Sequence, residues 1–371
     1  MRILIACGGT AGHIFPALAL IEELKKEDKD SSVRIVISRH PRDREYLRRG
    51  VVSGDIQIKS ISSAPLPYRF SLKCISFGLR LLWACIESFF IILRYRPQVI
   101  VGFGGHTSFA PLIVGRILDI PALIHEQNLV PGRANRFLGW ISNRVAVTFE
   151  DTKKFFGKGD KAIKTGLPLR RQRKDCNSAP LDSFAADKEK LTILVLGGSQ
   201  GAHNINELVL NCLSGMDREL RSRLRLIHLS GRRDFSYVKA RYASMGVVSC
   251  VFDFLEDMPA AYRCADLLIG RAGASTIFEA AGFGLACLFI PYSHAGAHQK
   301  ENALFLKRQG AALVWDEGAL DKDFEKALLE LMSRESLRRD LSQKIKSLEM
   351  PAAAGNLKEE VLTLYREAHV R

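Results

Sequence analysis

The segment Leu4-Ile5-Ala6-Cys7-Gly8-Gly9-Thr10-Ala11-Gly12 returns 189 residues later as Ile193-Leu194-Val195-Leu196-Gly197-Gly198-Ser199-Gln200-Gly201. Each copy is a continuous apolar run, then a glycine-rich turn, then a stretch with helical spacing. An unbroken apolar run suits a parallel strand buried on both faces, and the glycines suit the tight turn into the helix of a βαβ unit. A chain that opens this way twice is constrained to build the same kind of sheet twice.

The remaining pattern agrees. Apolar runs at Val33–Ser38, Val99–Val101, Ala122–His125 and Val145–Phe149 alternate with longer helical segments. In the second half Arg225–Leu229, Val247–Phe252, Leu267–Ile269 and Cys287–Pro291 do the same. Such alternation predicts an α/β protein of two doubly wound, Rossmann-like parallel-sheet domains. The expected boundaries are a first domain over 1–160, a linker over 161–190, and a second domain over 191–340. Helices over 341–371 follow, for which packing back on the first domain is one option.

Composition narrows the partners. At 371 residues and 47% hydrophobic content the chain can bury two cores, which excludes overall disorder. Lys and Arg total 54 against 40 Asp and Glu, a formal charge of +14 that favours a polyanionic partner. Phosphorylated substrates and an anionic membrane surface both fit; no nucleic-acid recognition motif occurs. The eight cysteines are scattered without a CxxC pair, as in a cytosolic protein with reduced thiols. Asp-Lys-Asp at Asp28–Asp30 and Asp321–Asp323 lies in charged, helix-flanking stretches, so neither a metal nor another cofactor is expected.

Ile75 to Leu93 is the longest apolar stretch, but Arg80 and Glu87 inside it are costly at a bilayer centre, which argues against a spanning helix. At helical period Ile75, Leu79, Leu82, Ile86, Phe89, Phe90 and Leu93 share a broad face, with Trp83 at its flank and Arg69, Lys73, Arg80, Arg94 and Arg96 around it. That face would seat on a membrane, with Ile75, Leu79, Leu82, Trp83 and Ile86 toward it. The alternative is two helices whose apolar faces are core.

Three loops carry glycines directly after an expected strand: Gly8 to His13, Gly102 to Ser108, and Gly197 to Gly201. Glycine lets backbone approach a ligand, and the next helix offers unpaired N–H groups and a partial positive charge to phosphate. None is a Walker A loop, and none completes the dinucleotide fingerprint, which disfavours an oxidoreductase. Three such loops point to a diphosphate ligand in a crevice beyond the strand ends. The densest constellation is Gly270-Arg271-Ala272-Gly273-Ala274-Ser275-Thr276-Ile277-Phe278-Glu279. Ser275 or Thr276 would cap a new helix there, and Glu279, a turn further on, would accept two ribose hydroxyl protons. In the alternative reading the hydroxyls only cap, and Glu279 is a solvated acid favoured by the helix dipole. His125-Glu126-Gln127-Asn128 follows another strand, His13 and His106 sit at equivalent strand ends, and His294, His298 and Gln299 occupy a further loop. A histidine in a glycine-rich loop is a candidate acid or base, though a lone histidine also serves as a structural hydrogen-bonding group.

Taken in order, GGTAGHIFPALAL, GFGGHTSFAP, IPALIHEQN, TGLPLR, LGGSQGAHNIN, FLEDMPAAY, GRAGASTIFEAAG and HQKENA resemble the MurG family of glycosyltransferases over nearly the whole chain. The resemblance implies a GT-B fold, two Rossmann-like domains facing a cleft. It implies transfer of N-acetylglucosamine from UDP-N-acetylglucosamine to the 4-hydroxyl of undecaprenyl-diphosphate-linked muramoylpentapeptide, lipid I, at the cytoplasmic face of the bacterial inner membrane. Carried over by motif, the donor site comprises Thr10, Ala11, Gly12, Asn128, Arg170, Ser199, Leu255, Ala274, Ser275, Thr276, Ile277, Phe278, Glu279 and Gln299. The sequence departs from the family pattern at Ala11, usually Gly, at His106, usually aromatic, and at Ala286, where Pro is usual. An inverting displacement needs a base; His13 is the first choice and Glu126 the second. Competing expectations are a UDP-N-acetylglucosamine 2-epimerase and a non-catalytic, membrane-attached nucleotide-sugar sensor.

Overall fold

A computed structural model describes residues 1–27, 31–49, 56–64, 73–157, 159–170, 181, 184, 189–197, 202–292, 298–319 and 321–369, the side chains of 49, 73 and 74 excepted. Two compact units result: unit 1 is Met1–Arg171 with Met350–Arg371, and unit 2 is Gln172–Glu349.

Unit 1 contains strands β1 (Arg2–Ala6), β2 (Ser32–Ser38), β3 (Gln57–Ile61), β4 (Val99–Gly102), β5 (Ala122–Glu126), β6 (Arg144–Val147) and β7 (Ala162–Lys164). Its helices are α1 (Ala11–Glu27), α2 (Pro41–Arg49), α3 (Lys73–Tyr95), α4 (Phe109–Ile117) and α5 (Arg133–Ile141). Among the described residues the sheet is parallel, in the order β3-β2-β1-β4-β5-β6-β7. Ile3, Leu4 and Ile5 are all fully buried, although successive side chains point to opposite faces. Ile3 and Ile5 pack with Ile14 and Leu18 of α1 and with Leu47 of α2. Leu4 and Ala6 pack with Ala84 and Ile92 of α3, Leu112 of α4 and Leu138 of α5. Helices on both faces explain why β1 lacks the alternation of a half-exposed strand.

Unit 2 repeats the plan with β8 (Leu191–Leu196), α6 (His203–Gly215), α7 (Arg218–Ser222), β9 (Leu224–Leu229), α8 (Phe235–Ser244), β10 (Val248–Phe252) and α9 (Met258–Cys264). It continues with β11 (Leu267–Gly270), α10 (Ala274–Phe283), β12 (Ala286–Phe289), α11 (His298–Arg308), β13 (Leu313–Val314), α12 (Asp321–Ser333) and α13 (Glu335–Lys346). The strands are again parallel, ordered β10-β9-β8-β11-β12-β13. Ile193 and Val195 bury against Ile205 and Val209 of α6 and Phe324 and Leu328 of α12.

The boundaries differ from those expected. Ala162–Lys164, inside the stretch read as linker, pairs with β6 as an edge strand of unit 1. Three residues are too short to show a period, and the charged and turn-forming residues around them mask the strand in the sequence. The 341–371 stretch is divided. Lys346 Nζ, in the last turn of α13, donates to Gly282 O at 2.6 Å within unit 2. Helix α14 (Ala353–His369) belongs to unit 1, where Leu357, Val361 and Leu364 join the β1–α1 core. Arg144 Nη1 on β6 meets Glu360 Oε2 of α14 at 2.6 Å. A Cβ on Gly166 (φ +84°) would lie 2.9 Å from both the Ala353 Cβ and the Met350 Sδ, so this turn needs glycine both for its conformation and for the approach of α14.

Because Leu357 is fully buried in unit 1, Leu357→Ala should cost about 2–5 kcal/mol. Native-state hydrogen exchange should show β1 amides losing protection while β8 amides keep theirs; equal loss in both sheets would contradict the assignment of α14 to unit 1.

Candidate active site

In unit 1 the chain leaves β1 and β4, adjacent strands, toward opposite sides of the sheet, and ligand crevices in open α/β sheets form at such a switch point. The loop after β1 is pinned from below. Asp43, 1% exposed, accepts hydrogen bonds from Gly9 N (3.0 Å), Ser38 N (3.2 Å) and Ser38 Oγ (2.5 Å). A Cβ on Gly8 would stand 2.5 Å from Asp43 Oδ2, so the carboxylate requires the glycine. His13 lies in the first turn of α1 with Nδ1 3.0 Å from Gly8 O and 3.3 Å from Thr10 Oγ1. A carbonyl only accepts, so this network assigns the proton to Nδ1 and makes Nε2 the basic nitrogen. Ala11, in the place of the usual glycine, is the first residue of α1 and has no need of positive φ.

The loop after β4 touches the first: a Cβ on Gly105 would come within 3.2 Å of His13 Nδ1. His106 binds Ser63 Oγ through Nδ1 at 2.9 Å. Burial lowers its pKa, Asp43 opposes this, and His13 and His40 add to it. The Thr107 hydroxyl is buried without a hydrogen-bond partner and stands next to Gly8.

Asn135 joins this loop to the one after β5, packing on Gly104 while its Nδ2 donates to Glu126 Oε2 at 2.8 Å. Glu126 also accepts from Gly132 N (3.2 Å) at Oε2, and from Asn128 N (2.8 Å) and Asn128 Nδ2 (3.2 Å) at Oε1. At 1% exposure its carboxylate is committed to holding the loop that presents Asn128. Fully buried His125 bonds Gly166 O at 2.9 Å through Nε2, and burial lowers its pKa to about 4, so it is a neutral strut between β5 and the Thr165-Gly166 turn. Arg170 is not brought to these loops. Its Nε and Nη2 lie 2.8 and 2.6 Å from Glu22 Oε1, nine residues or roughly 13 Å along α1 from His13.

In unit 2 the corresponding switch point lies between β8 and β11. A Cβ on Gly270 would be 2.7 Å from Leu196 O, so glycine is required where β11 ends against β8. The N-cap of α10 is Gly273, with no side-chain cap, and Ser275 and Thr276 are the second and third helical residues. The expectation that either hydroxyl caps is corrected: the helix starts at Ala274, too early for their side chains to turn back to its first amides. Those amides and the two partly exposed hydroxyls remain for an anion. Ala274, Ile277 and Phe278 are packed inward. Glu279 keeps part of its surface in solvent and accepts from Tyr262 Oη at 2.6 Å. Burial raises its carboxyl pKa to about 7, against the opposing pull of the Tyr262 hydrogen bond.

The loop before α10 is anchored by Arg271, 7% exposed, which forms paired bonds to Glu317 (3.0 and 3.2 Å), bonds Ile290 O at 3.1 Å and lies 5.2 Å from the Tyr292 ring. Gln299 Oε1 accepts from Tyr292 N at 3.0 Å. Leu255 lies partly exposed in the loop before α9, and Asp257 caps that helix. Ser199 and His294 lie outside the described residues. Among the described residues no three His, Cys, Asp or Glu side chains gather as a metal site. Asp43 and Tyr262 support these loops and were not singled out from sequence, and Arg271 stood in the constellation before α10 without a role of its own, since these roles depend on partners distant in the chain.

Residues 3–147 match the glycosyltransferase family 28 N-terminal domain, and residues 192–357 match the family 28 C-terminal domain. A UDP-N-acetylglucosamine-N-acetylmuramyl-(pentapeptide) pyrophosphoryl-undecaprenol N-acetylglucosamine transferase from Geobacter sulfurreducens is 33% identical over 369 residues, covering 99% of this chain and 100% of that one. One from Coxiella burnetii is 37% identical over 320 residues, 86% of each. The crystal structure of Acinetobacter baumannii MurG superposes with a TM-score of 0.75 at 26% identity, covering 98% of this chain and 99% of that one. The chain belongs to the MurG family. A UDP-N-acetylglucosamine 2-epimerase from Listeria monocytogenes, described as putative in its structure, also superposes, with a TM-score of 0.71 at 15% identity over 99% of this chain and 97% of that one. That likeness speaks for the fold alone; both share the GT-B architecture.

Glu126→Gln separates a base from a strut. The amide replaces one acceptor oxygen with a donor facing two N–H groups, so the variant should lose about 2–4 kcal/mol in chemical denaturation. Activity loss with unchanged stability would instead favour Glu126 as the base.

Proposed function

We propose that this chain transfers N-acetylglucosamine from UDP-N-acetylglucosamine to the 4-hydroxyl of the MurNAc-pentapeptide of lipid I, forming lipid II with inversion. The carrying observation is the match to transferases of this name over essentially their full length. In this reading the acceptor oxygen attacks the anomeric carbon and its proton passes to His13 Nε2. The bond to UDP breaks with its electron pair leaving on the β-phosphate oxygen. The Nδ1 contact to Gly8 O supports this role, because it orients the ring and reserves Nε2 for the proton. Thr10, Ala11 and Gly12 line the same turn. The unpaired amides of α10, Ser275, Thr276 and Ser199 stabilise the departing diphosphate, and Glu279 accepts ribose hydroxyls. Arg170, bonded to Glu22 in this structure, is assigned to the donor by its motif alone. Asn128, Leu255 and Gln299 complete the donor contacts.

Labelled donor incubated with and without a short-chain lipid I analogue tests the reading. Acceptor-dependent UDP release is expected; a 2-epimerase would convert the donor without acceptor, and a sensor would turn over nothing. His13→Ala should lower kcat by roughly 10²–10⁴-fold with donor affinity nearly unchanged. Turnover within a few-fold of wild type would make His13 structural.

We also infer peripheral attachment to the cytoplasmic face of the inner membrane through α3. Over Ile75–Tyr95 this helix is long and apolar enough to cross a bilayer, and only 17% of the window is buried. It is a single helix with a stripe, Ala84, Ser88, Ile92 and Tyr95, buried in unit 1. Glu87 accepts from Ser62 N at 2.6 Å and pairs with Arg39. Spanning would strip away these contacts, whereas lying flat keeps them. The opposite stripe is bare: Ile75, Leu79, Leu82, Trp83, Ile86, Phe90 and Leu93 are exposed, as are Ile117 of α4 and Trp140 of α5. Arg80, Arg94 and Arg96 are exposed near it; Arg69 and the Lys73 side chain lie outside the described residues. Binding to anionic vesicles should weaken with salt. Replacing Leu79 and Leu82 with Ser should weaken it at least ten-fold without lowering Tm, since both side chains are already solvent-exposed. Unchanged binding, or unfolding, would remove α3 as the attachment face.

A further inference from the structure

Helices α9 and α10 of unit 2 are joined by a contact that the roles assigned so far leave unused. Tyr262, 2% exposed, donates its phenolic proton to Glu279 Oε2 at 2.6 Å, and its ring stacks on Phe283 at 5.4 Å with planes 14° apart. Phe283 follows Glu279 by four residues, on the same side of α10. Ring stack and hydrogen bond therefore grip one face of the helix that carries the carboxylate. Burial raises the phenol's pKa well above its usual value, so the phenol stays protonated and acts as the donor. It has one proton to give, and Oε2 receives it. Among the described residues Oε1 has no hydrogen-bond partner.

We propose that Tyr262 is a positioning residue for the sugar-nucleotide donor: it clamps Oε2 so that the Glu279 carboxylate stands ready, in one orientation, to accept the vicinal hydroxyls of the ribose. The proposal rests on the reading of Glu279 as the ribose acceptor. Two physical effects act together. A glutamate side chain left to rotate would have to be ordered when the donor binds, and the clamp orders it beforehand. A carboxyl in a partly desolvated site tends to hold its proton and lose acceptor capacity, and a donated hydrogen bond favours the ionised form that the ribose needs.

Tyr262→Phe keeps the ring stack and removes only the hydroxyl. The expected result is a rise of about ten-fold in KM for UDP-N-acetylglucosamine, with kcat within two-fold, the scale of a lost hydrogen bond to a charged group. With a donor analogue lacking both ribose hydroxyls, the same substitution should leave KM within two-fold, because Glu279 then has nothing to receive. Equal losses on both donors, or a fall in kcat at unchanged KM, would mean that Tyr262 only supports the fold. Should Tyr262→Phe fail to fold, 4-aminophenylalanine at position 262 supplies an N–H donor in the same place. It must retain tight natural-donor binding, and loss of that binding in a folded variant overturns the proposal. Glu279→Gln distinguishes the two levels. If it leaves the preference for the natural donor over the hydroxyl-free analogue intact, the ribose reading itself fails. If it abolishes that preference while Tyr262→Phe leaves it at the wild-type level, only the clamp fails.

Discussion

In each unit the first strand lies inside its sheet, hydrogen-bonded on both sides, β1 between β2 and β4 and β8 between β9 and β11. The rest of each unit is arranged around that double ladder. Its amides are buried and have no substitute partner, so the strand cannot slip without leaving donors unpaired. With β1 and β8 fixed, the chain must turn outward in opposite directions from them. The loops at Cys7–Thr10 and Phe103–Ser108 in unit 1, and after Gly270 in unit 2, then fall at the carboxyl ends of adjacent strands. Helices covering both faces are what make such a strand affordable.

Within these loops, rigidity comes from buried carboxylates. Asp43 holds the amide of Gly9, and Glu126 holds the amides of Asn128 and Gly132. Each replaces the solvation that a loop amide would otherwise seek from water, and each forces glycine or a small turn where it approaches. Loops set in place before a ligand arrives lose little freedom on binding. Arg271 does the same from the cationic side, tying the loop before α10 to Glu317 and to the carbonyl of Ile290.

The strands around Leu4 and Ile193 were legible because double-faced burial leaves an unbroken apolar run, and the glycine-rich turns because backbone geometry admits few other residues. The bare stripe of α3 was legible as a period, but whether it faced core or solvent depended on the Ala84-Ser88-Ile92-Tyr95 stripe winning the core. The cap of α10 lies two or three positions before the hydroxyl residues that the sequence offers for it, since hydroxyl residues near a helix start look alike until the first helical residue is known. Asp43 sits in a charged run, His40 to Glu45, that looks like ordinary surface, and Tyr262 in one that looks like ordinary core. Their partners, Gly9 and Glu279, are 34 and 17 residues away, beyond any local pattern. Candidate ligand residues lie in motifs, whereas the residues that orient them are scattered.

Helix α14 gives unit 1 a piece of its core that is translated after all of unit 2. On a ribosome adding about 5–20 residues per second, the apolar groove left for Leu357, Val361 and Leu364 stays open for on the order of ten seconds or more. Unit 2 has every strand it needs before then. The order of synthesis and the order of completion are therefore reversed: the half made first is the half finished last. During that interval the β1–α1 face is the stretch of the nascent chain most in need of a chaperone.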